Sequence, residues 1–309
     1  LLEDTEQIAT VIRHNHHAIL REVDRFAPDA CMAGNLDFVG AGFIDPILEK
    51  GIPVVHRLGN ARPGYPAENT PKSPLYCLAG ASHWINQQLQ QAGYLAGNFD
   101  VLPPGSPLHA YYRAFLPRFD RLRICFAGLV MAYKGPHVLV QALSLLKKAG
   151  IDFTCEIAGD AKDPKFGEYL RQMIAKEDLE KAVRLIGFQG RKGLAALYAR
   201  SNTMVFPSVF EEPFGKSQIE AQAAGLAVIS SGTGGCADII ENGTNGLIFK
   251  NQDPQDLARQ LFRLVDDKVL WERLARQGQE DAFRYTTGRS VATLESIVEK
   301  LMGEKVSSS

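Results

Sequence analysis

Two glutamates and a glycine, Glu212, Gly215 and Glu220, carry the chemistry that is easiest to read from this chain. The apolar run 203–206 reads as the end of a buried strand, and Pro207 and Ser208 break it. Glu212-Pro213-Phe214-Gly215 then opens a helix over 216–224, which Gly225 ends, and 226–230 reads as the next strand. Strand, loop, helix and strand make a βαβ unit, and ligands of such units sit outside the carboxyl ends of the strands. A bare helix N-terminus offers unpaired N–H groups and a positive dipole end, which suits a phosphate. Gly215 lets an anion come close to the backbone, with Lys216 and Ser217 beside it. Glu220, about a turn further on, can accept hydrogen bonds from both hydroxyls of a ribose, and Glu212 can do the same for another polyol. Phosphate donors between two hydroxyl-binding acids are what a nucleotide sugar requires. The plainer alternative stays open: acids near a helix start also serve the helix dipole alone.

Something must position these groups, and the composition permits it. The chain has 309 residues, 45% hydrophobic, with a net charge of −1. That suffices for one large or two ordinary domains with proper cores. The near-neutral charge offers no footprint for nucleic acid. No apolar run approaches the roughly 18 residues of a membrane-spanning helix, and no signal-peptide pattern opens the chain. Cys31, Cys77, Cys125, Cys155 and Cys236 are scattered, without zinc spacing, and read as reduced cytosolic thiols. His14, His16 and His17 lie in a polar helical stretch and are expected to be solvated.

The periodicity predicts a helix over 5–27, a strand over 30–33, a helix over 42–50 and a strand over 52–56. A Pro- and Gly-rich loop covers 57–75, followed by a strand at 78–81, a helix at 84–92 and a strand at 99–102. The segment 107–121, with Pro117 and several charges, reads as an interdomain linker. A second series follows: strands at 124–129, 153–158 and 183–186, each trailed by a helix, then the βαβ unit above. Helices near 254–267, 269–283 and 288–302 close the chain. Alternating strands and helices imply parallel sheets covered on both faces. No G-x-G-x-x-G opens either half, which argues against a two-domain dehydrogenase.

Glu212 and Glu220 are separated by seven residues, with Pro-Phe-Gly after the first and Ala-Gln-Ala-Ala-Gly after the second. Ala158-Gly159-Asp160, 183–188, Gly234-Gly235, Asp238-Ile239-Ile240 and 242–247 accompany them in order. Together, over about residues 120–300, these resemble the E-x7-E signature region of retaining glycosyltransferases of the GT-B fold, family 4. The resemblance implies two Rossmann-like, doubly wound parallel-sheet domains facing a cleft. They would comprise an acceptor-side domain over 1–116, a nucleotide-sugar domain over 117–286, and a helix over 287–309 crossing back to the first. It also implies that the first domain lacks its front part, roughly 60 residues if each βα unit takes about 30.

By the same resemblance, Gly128 to Gly135 is the phosphate loop of the second domain, with Lys134 on the donor diphosphate. The family's arginine falls on Leu129, so Lys134, the helix at Gly215 and Lys216 must do more. Gly187 and Phe188 would hold the nucleotide base, with plain core packing the alternative for Phe188. Phe214, Gly215, Lys216, Ser217 and Glu220 complete the donor set. His56, or Asn60 in its place, would reach the transferred sugar; a structural histidine is the alternative, and Trp84 reads as packing. Catalytic roles fall on His56, Asn60, Lys134 and Glu212. The implied activity is metal-independent transfer of a hexose, glucose first, from a UDP-sugar to a glycan or lipid-linked acceptor, with no cofactor. The setting would be exopolysaccharide or cell-envelope synthesis in the cytoplasm, with room for peripheral association at the inner membrane face. The rival is a non-catalytic module that binds a nucleotide sugar.

Overall fold

The computed structural model describes residues 5–307 apart from 35, 37 and 38. The chain divides into two compact units: unit 1 runs to Pro104 and resumes at Gly288, and unit 2 spans Gly105–Thr287.

Unit 1 holds α1 (Thr5–Phe26), β1 (Cys31–Ala33), α2 (Ile44–Glu49), β2 (Val54–Leu58), β3 (Tyr76–Gly80), α3 (His83–Gln91) and β4 (Asn98–Val101). The four strands pair in chain order, all parallel. β3 is buried along its whole length, as expected for an interior parallel strand covered on both faces. Ser82 starts α3 by accepting a hydrogen bond from the Ile85 N–H. One face of the sheet packs on Ile44, Ile47, Ile85 and Leu89. Against the other lie Ile297 and Leu301, which join Val55, Cys77, Ala79 and Leu102 in a second core.

Unit 2 holds β5 (Leu122–Ala127), α4 (Pro136–Lys148), β6 (Phe153–Ala158), α5 (Pro164–Lys176), β7 (Val183–Gly187), α6 (Arg191–Arg200), β8 (Thr203–Phe206), α7 (Lys216–Ala223), β9 (Ala227–Ser230), β10 (Leu247–Ile248), α8 (Pro254–Asp266) and α9 (Lys268–Ala282). Ile297 and Leu301 of unit 1 belong to α10 (Thr287–Ser307). The sheet of unit 2 is parallel, ordered β7-β6-β5-β8-β9-β10. That is the 3-2-1-4-5-6 order of a doubly wound sheet, and the direction of winding reverses between β5 and β8. Val138, Leu139 and Leu143 of α4, Leu257 and Leu261 of α8, and Trp271 and Leu274 of α9 build its core with the strands. Asp163, Asp253 and Asp267 cap α5, α8 and α9 through hydrogen bonds to backbone N–H groups.

Two expectations are corrected. The segment 107–121, read as a linker, packs within unit 2. Leu108 and Tyr111 are buried, Tyr111 meets Tyr198 edge-on at 5.6 Å, and Phe119 stacks on Trp271 at 4.7 Å. Prolines and charges there shape a packed, irregular segment. His16 is not solvated either. It is half-buried, its Nε2 lies 2.7 Å from the Val39 carbonyl, and its ring meets Phe43 edge-on.

His56 is fully buried inside unit 1. Its Nδ1 is 2.8 Å from the Tyr76 hydroxyl, which lies 2.5 Å from that of Tyr65. Burial pushes its pKa down to about 4 against the opposing pull of the Gly34 backbone, so the ring is neutral when folded. The unfolded chain takes up this proton near pH 6.5 and the folded one only near pH 4, so the contribution is intact above 6.5 and is lost as pH falls. Stability is expected to drop by about 2 kcal/mol between pH 7 and pH 5 from this group alone. Urea unfolding of the parent and a His56→Gln variant at both pH values measures it. An unchanged difference between the two proteins would refute the assignment.

Candidate functional site

The carboxyl ends of β5 and β8, on either side of the reversal, open into a cavity of about 250 Å³. Gly128 and Leu129 line it from β5, Pro207 and Ser208 from β8, and Gly215, Lys216 and Ser217 from the start of α7, with Lys134 and Glu212 also in the wall. A crevice at a winding reversal is where open α/β sheets bind ligands.

Backbone geometry holds these walls together. Gly135 has φ +71°, and a Cβ there would stand 1.8 Å from the Pro207 carbonyl oxygen. The loop bearing Lys134 therefore lies directly on the end of β8. Gly215 has φ +95° and forms the N-cap of α7. A Cβ at that turn would sit 2.5 Å from the Gln218 amide nitrogen and 3.0 Å from Cys236 Sγ. Any residue but glycine would clash there, and Gly215, Lys216 and Ser217 at the start of α7 line the cavity.

Inside the cavity, the Lys134 ammonium donates to Glu212 Oε1. Ser208 Oγ donates to the same oxygen at 2.7 Å. The Glu212 carbonyl accepts from Gly235 N–H at 2.7 Å, so the Gly234-Gly235 turn fixes the backbone of this acid. Thr233 and Ser231 hydroxyls donate to the Phe210 and Ser208 carbonyls at 3.0 and 2.7 Å and brace the loop. Burial pushes the nearby Cys236 thiol up to about 12, so it stays protonated.

The structure brings Gly128, Lys134, Glu212, Gly215, Lys216 and Ser217 together, with Leu129 in the same wall. Glu220 lies one turn along α7, outside that lining. Ser106 Oγ donates to its Oε1 at 3.3 Å. Desolvation raises the pKa of Glu220, and Lys216, Ser106 and Arg191 oppose the rise. Phe214 points inward, buried edge-on against Tyr285 at 5.4 Å, so its side chain anchors the turn. Gly187 ends β7 with φ +68°, and Phe188 beyond it is 72% exposed, which excludes core packing. His56 and Asn60 belong to unit 1. His56 is closed into its interior, and Asn60 Oδ1 accepts from the Arg62 N–H at 2.9 Å in its own loop. Ser208 and Ser106 escaped the sequence reading. Ser208 was visible there only as a strand breaker, and Ser106 lay between the strand read over 99–102 and the supposed linker.

Two units with parallel sheets, the larger in 3-2-1-4-5-6 order with a glycine-opened helix start at its reversal, have the fold of GT-B glycosyltransferases. The chain belongs to the glycosyl transferases group 1 family, whose sequence profile matches residues 113–281. Among similar proteins, the D-inositol 3-phosphate glycosyltransferase of Pseudarthrobacter chlorophenolicus is 27% identical over 74% of this chain and 59% of its own length. A glycogen synthase of Mycobacterium tuberculosis is 29% identical over 59% of this chain and 43% of its own length. The chain thus spans only about half the length of the curated relatives it matches. The Anabaena HepE structure in complex with UDP and glucose superposes with a TM-score of 0.73, at 21% identity over 96% of this chain and 80% of HepE. A glycosyltransferase of Rickettsia africae gives 0.77 at 18% identity, over 98% of this chain and 84% of its own. At these identities the likeness establishes the fold.

The Gly135 contact yields a clean comparison. Gly150 is also left-handed, at φ +76°, but a Cβ there meets nothing within 4 Å. Gly150→Ala should cost about 1–2 kcal/mol, the price of the backbone conformation. Gly135→Ala should cost distinctly more, about 3 kcal/mol or above, because Pro207 must move as well. Equal losses in urea unfolding would mean that the close approach is not rigid.

Proposed function

We propose that the chain is a retaining glycosyltransferase that moves a hexose, glucose first, from a UDP-sugar to a glycan or lipid-linked acceptor without a metal ion. The observation that carries this reading is the cavity at the winding reversal, where Lys134, Glu212 and the open N-terminus of α7 converge. A donor diphosphate arriving there competes with Glu212 for Lys134. It takes the ammonium and the α7 N–H groups, and Glu212 is released to accept hydrogen bonds from sugar hydroxyls. Glu220 accepts from the ribose. Fixed donors of this kind neutralise the charge that grows on the leaving diphosphate, the task a divalent cation performs elsewhere.

Retention then follows from attack on the face that the nucleotide leaves. The C1–O bond breaks and its electron pair passes to the β-phosphate. The acceptor oxygen bonds to C1, and its proton goes to the same phosphate. Double displacement would need a carboxylate within about 5 Å of its acid partner across the scissile bond. Glu212 and Glu220 serve instead as acceptors for the sugar and ribose hydroxyls, and Ser208 keeps its bond to Glu212. The glucosyl choice is supported by the UDP and glucose held by the Anabaena HepE structure. Relatives named as a glycogen synthase and an inositol-phosphate glycosyltransferase support transfer to polyol acceptors. Among the described residues no helix is long and apolar enough to cross a membrane. Polymer assembly at the inner membrane face is therefore proposed as peripheral. One observation favours the second reading, a module that binds a nucleotide sugar without transferring it: Leu129 lines the phosphate-binding wall where the family resemblance puts a cation.

Release of UDP from a panel of nucleotide sugars separates the two readings. Turnover with UDP-glucose, unaffected by EDTA, is the expected result; binding without release would establish the module. Glu220→Ala is expected to weaken UDP itself by about 1–3 kcal/mol, because a ribose hydroxyl loses its acceptor. Calorimetry reads this directly, and parental affinity would remove Glu220 from the nucleotide site. Lys134→Ala should lower kcat/KM far more than UDP affinity, since charge builds on the diphosphate in the transition state. Parallel losses in both quantities would reassign Lys134 to ground-state binding.

A further inference from the structure

Glu220 is held from a distant part of the chain. Ser106 is 1% exposed, and its hydroxyl donates to Glu220 Oε1 at 3.3 Å. Its backbone is pinned on both sides: its N–H donates to the Tyr285 carbonyl at 2.9 Å, and its carbonyl accepts from Leu108 N–H at 2.9 Å. A parallel bridge to Thr286 adds a third restraint. Tyr285 is itself fixed, its hydroxyl donating to the Asp238 carbonyl at 2.8 Å and its ring meeting Phe214. The Ser106 hydroxyl therefore has a defined position, set by the same residues that anchor the Phe214–Gly215 turn.

A carboxylate that receives two hydroxyls of a cis-diol must present its free lone pairs in one plane. A freely rotating glutamate loses that advantage. A donor on Oε1 from a rigid, dry neighbour stops the rotation and leaves both oxygens able to accept further bonds. We propose that Ser106 is a positioning residue, its hydroxyl orienting the Glu220 carboxylate toward the ribose diol of the donor nucleotide. This rests on the reading of Glu220 as the ribose acceptor.

The surroundings make the bond consequential. Burial favours the protonated form of Glu220, and Lys216 on α7, Ser106, and Arg191 at the start of α6 oppose it. Tyr111 and Tyr198 also face this charge, and both stay protonated because burial raises their pKa values. Without the serine hydroxyl one of the three groups that keep Glu220 ionised is gone.

The test is calorimetry on the full chain with UDP and with 2′-deoxyuridine diphosphate. Ser106→Ala should weaken UDP roughly three- to tenfold. It should change the 2′-deoxy nucleotide by no more than about twofold, because one hydroxyl of the diol is then missing in both proteins. Ser106→Thr, which keeps the hydroxyl, should restore UDP affinity. As pH is lowered, the Ser106→Ala variant should lose UDP affinity at a higher pH than the parent. Equal weakening of both nucleotides, with no displacement of the pH profile, would make Ser106 a packing residue and overturn the proposal. Parental UDP affinity in Ser106→Ala would overturn it too, with the donor site intact. A parent chain that binds no UDP would instead bring down the function proposed above and this inference with it.

Discussion

Two loops separated by more than seventy residues meet where Gly135 lies against the Pro207 carbonyl, with no room for a single methyl group between them. That contact sets the spacing between the loop after β5, which carries Lys134, and the acidic loop after β8. It holds Lys134 close enough to pair with Glu212. The winding reversal creates a gap at this place in the sheet. The backbone contact narrows the gap to a cavity with a cation, an acid and a helix end on its walls.

The Lys134–Glu212 pair is a largely buried ion pair. Glu212 is almost wholly buried and Lys134 mostly so. Desolvation offsets much of the attraction between such groups, so the pair contributes little net stability. Removing either partner alone leaves a charge without compensation. In the function proposed above, an incoming diphosphate replaces the carboxylate on Lys134 while Ser208 keeps its bond to Glu212.

The βα alternation of unit 2 was legible because interior parallel strands are buried on both faces. Runs such as 203–206 and 124–127 then appear as largely apolar stretches between helical periods. The start of α7 was legible because Gly215 can take the left-handed conformation of its N-cap. In unit 1 the strands begin one or two residues away from their expected positions, since short strands carry little periodicity. The segment after Pro104 was misread because prolines and charges describe irregular backbone equally well whether it is packed or free. Ser106 and Ser208 were silent for a different reason. A serine's role depends on which carboxylate it meets, and that meeting is made by the fold across 114 residues in one case. The burial of His56 was open only as an alternative, because its partner Tyr76, itself bonded to Tyr65, comes from another strand.

The core of unit 1 that includes Val55, Cys77, Ala79 and Leu102 is completed by Ile297 and Leu301 of α10. Unit 2, by contrast, is one uninterrupted stretch of chain. During synthesis the ribosome delivers every residue of unit 2 before the last apolar side chains of unit 1 emerge. The earlier-made sheet must wait, with one apolar face uncovered, while its neighbour folds. Closing unit 1 therefore requires a contact of very long sequence separation, which is entropically slow to find. The nascent chain is most exposed to aggregation in that interval, and truncation within α10 would make the exposure permanent.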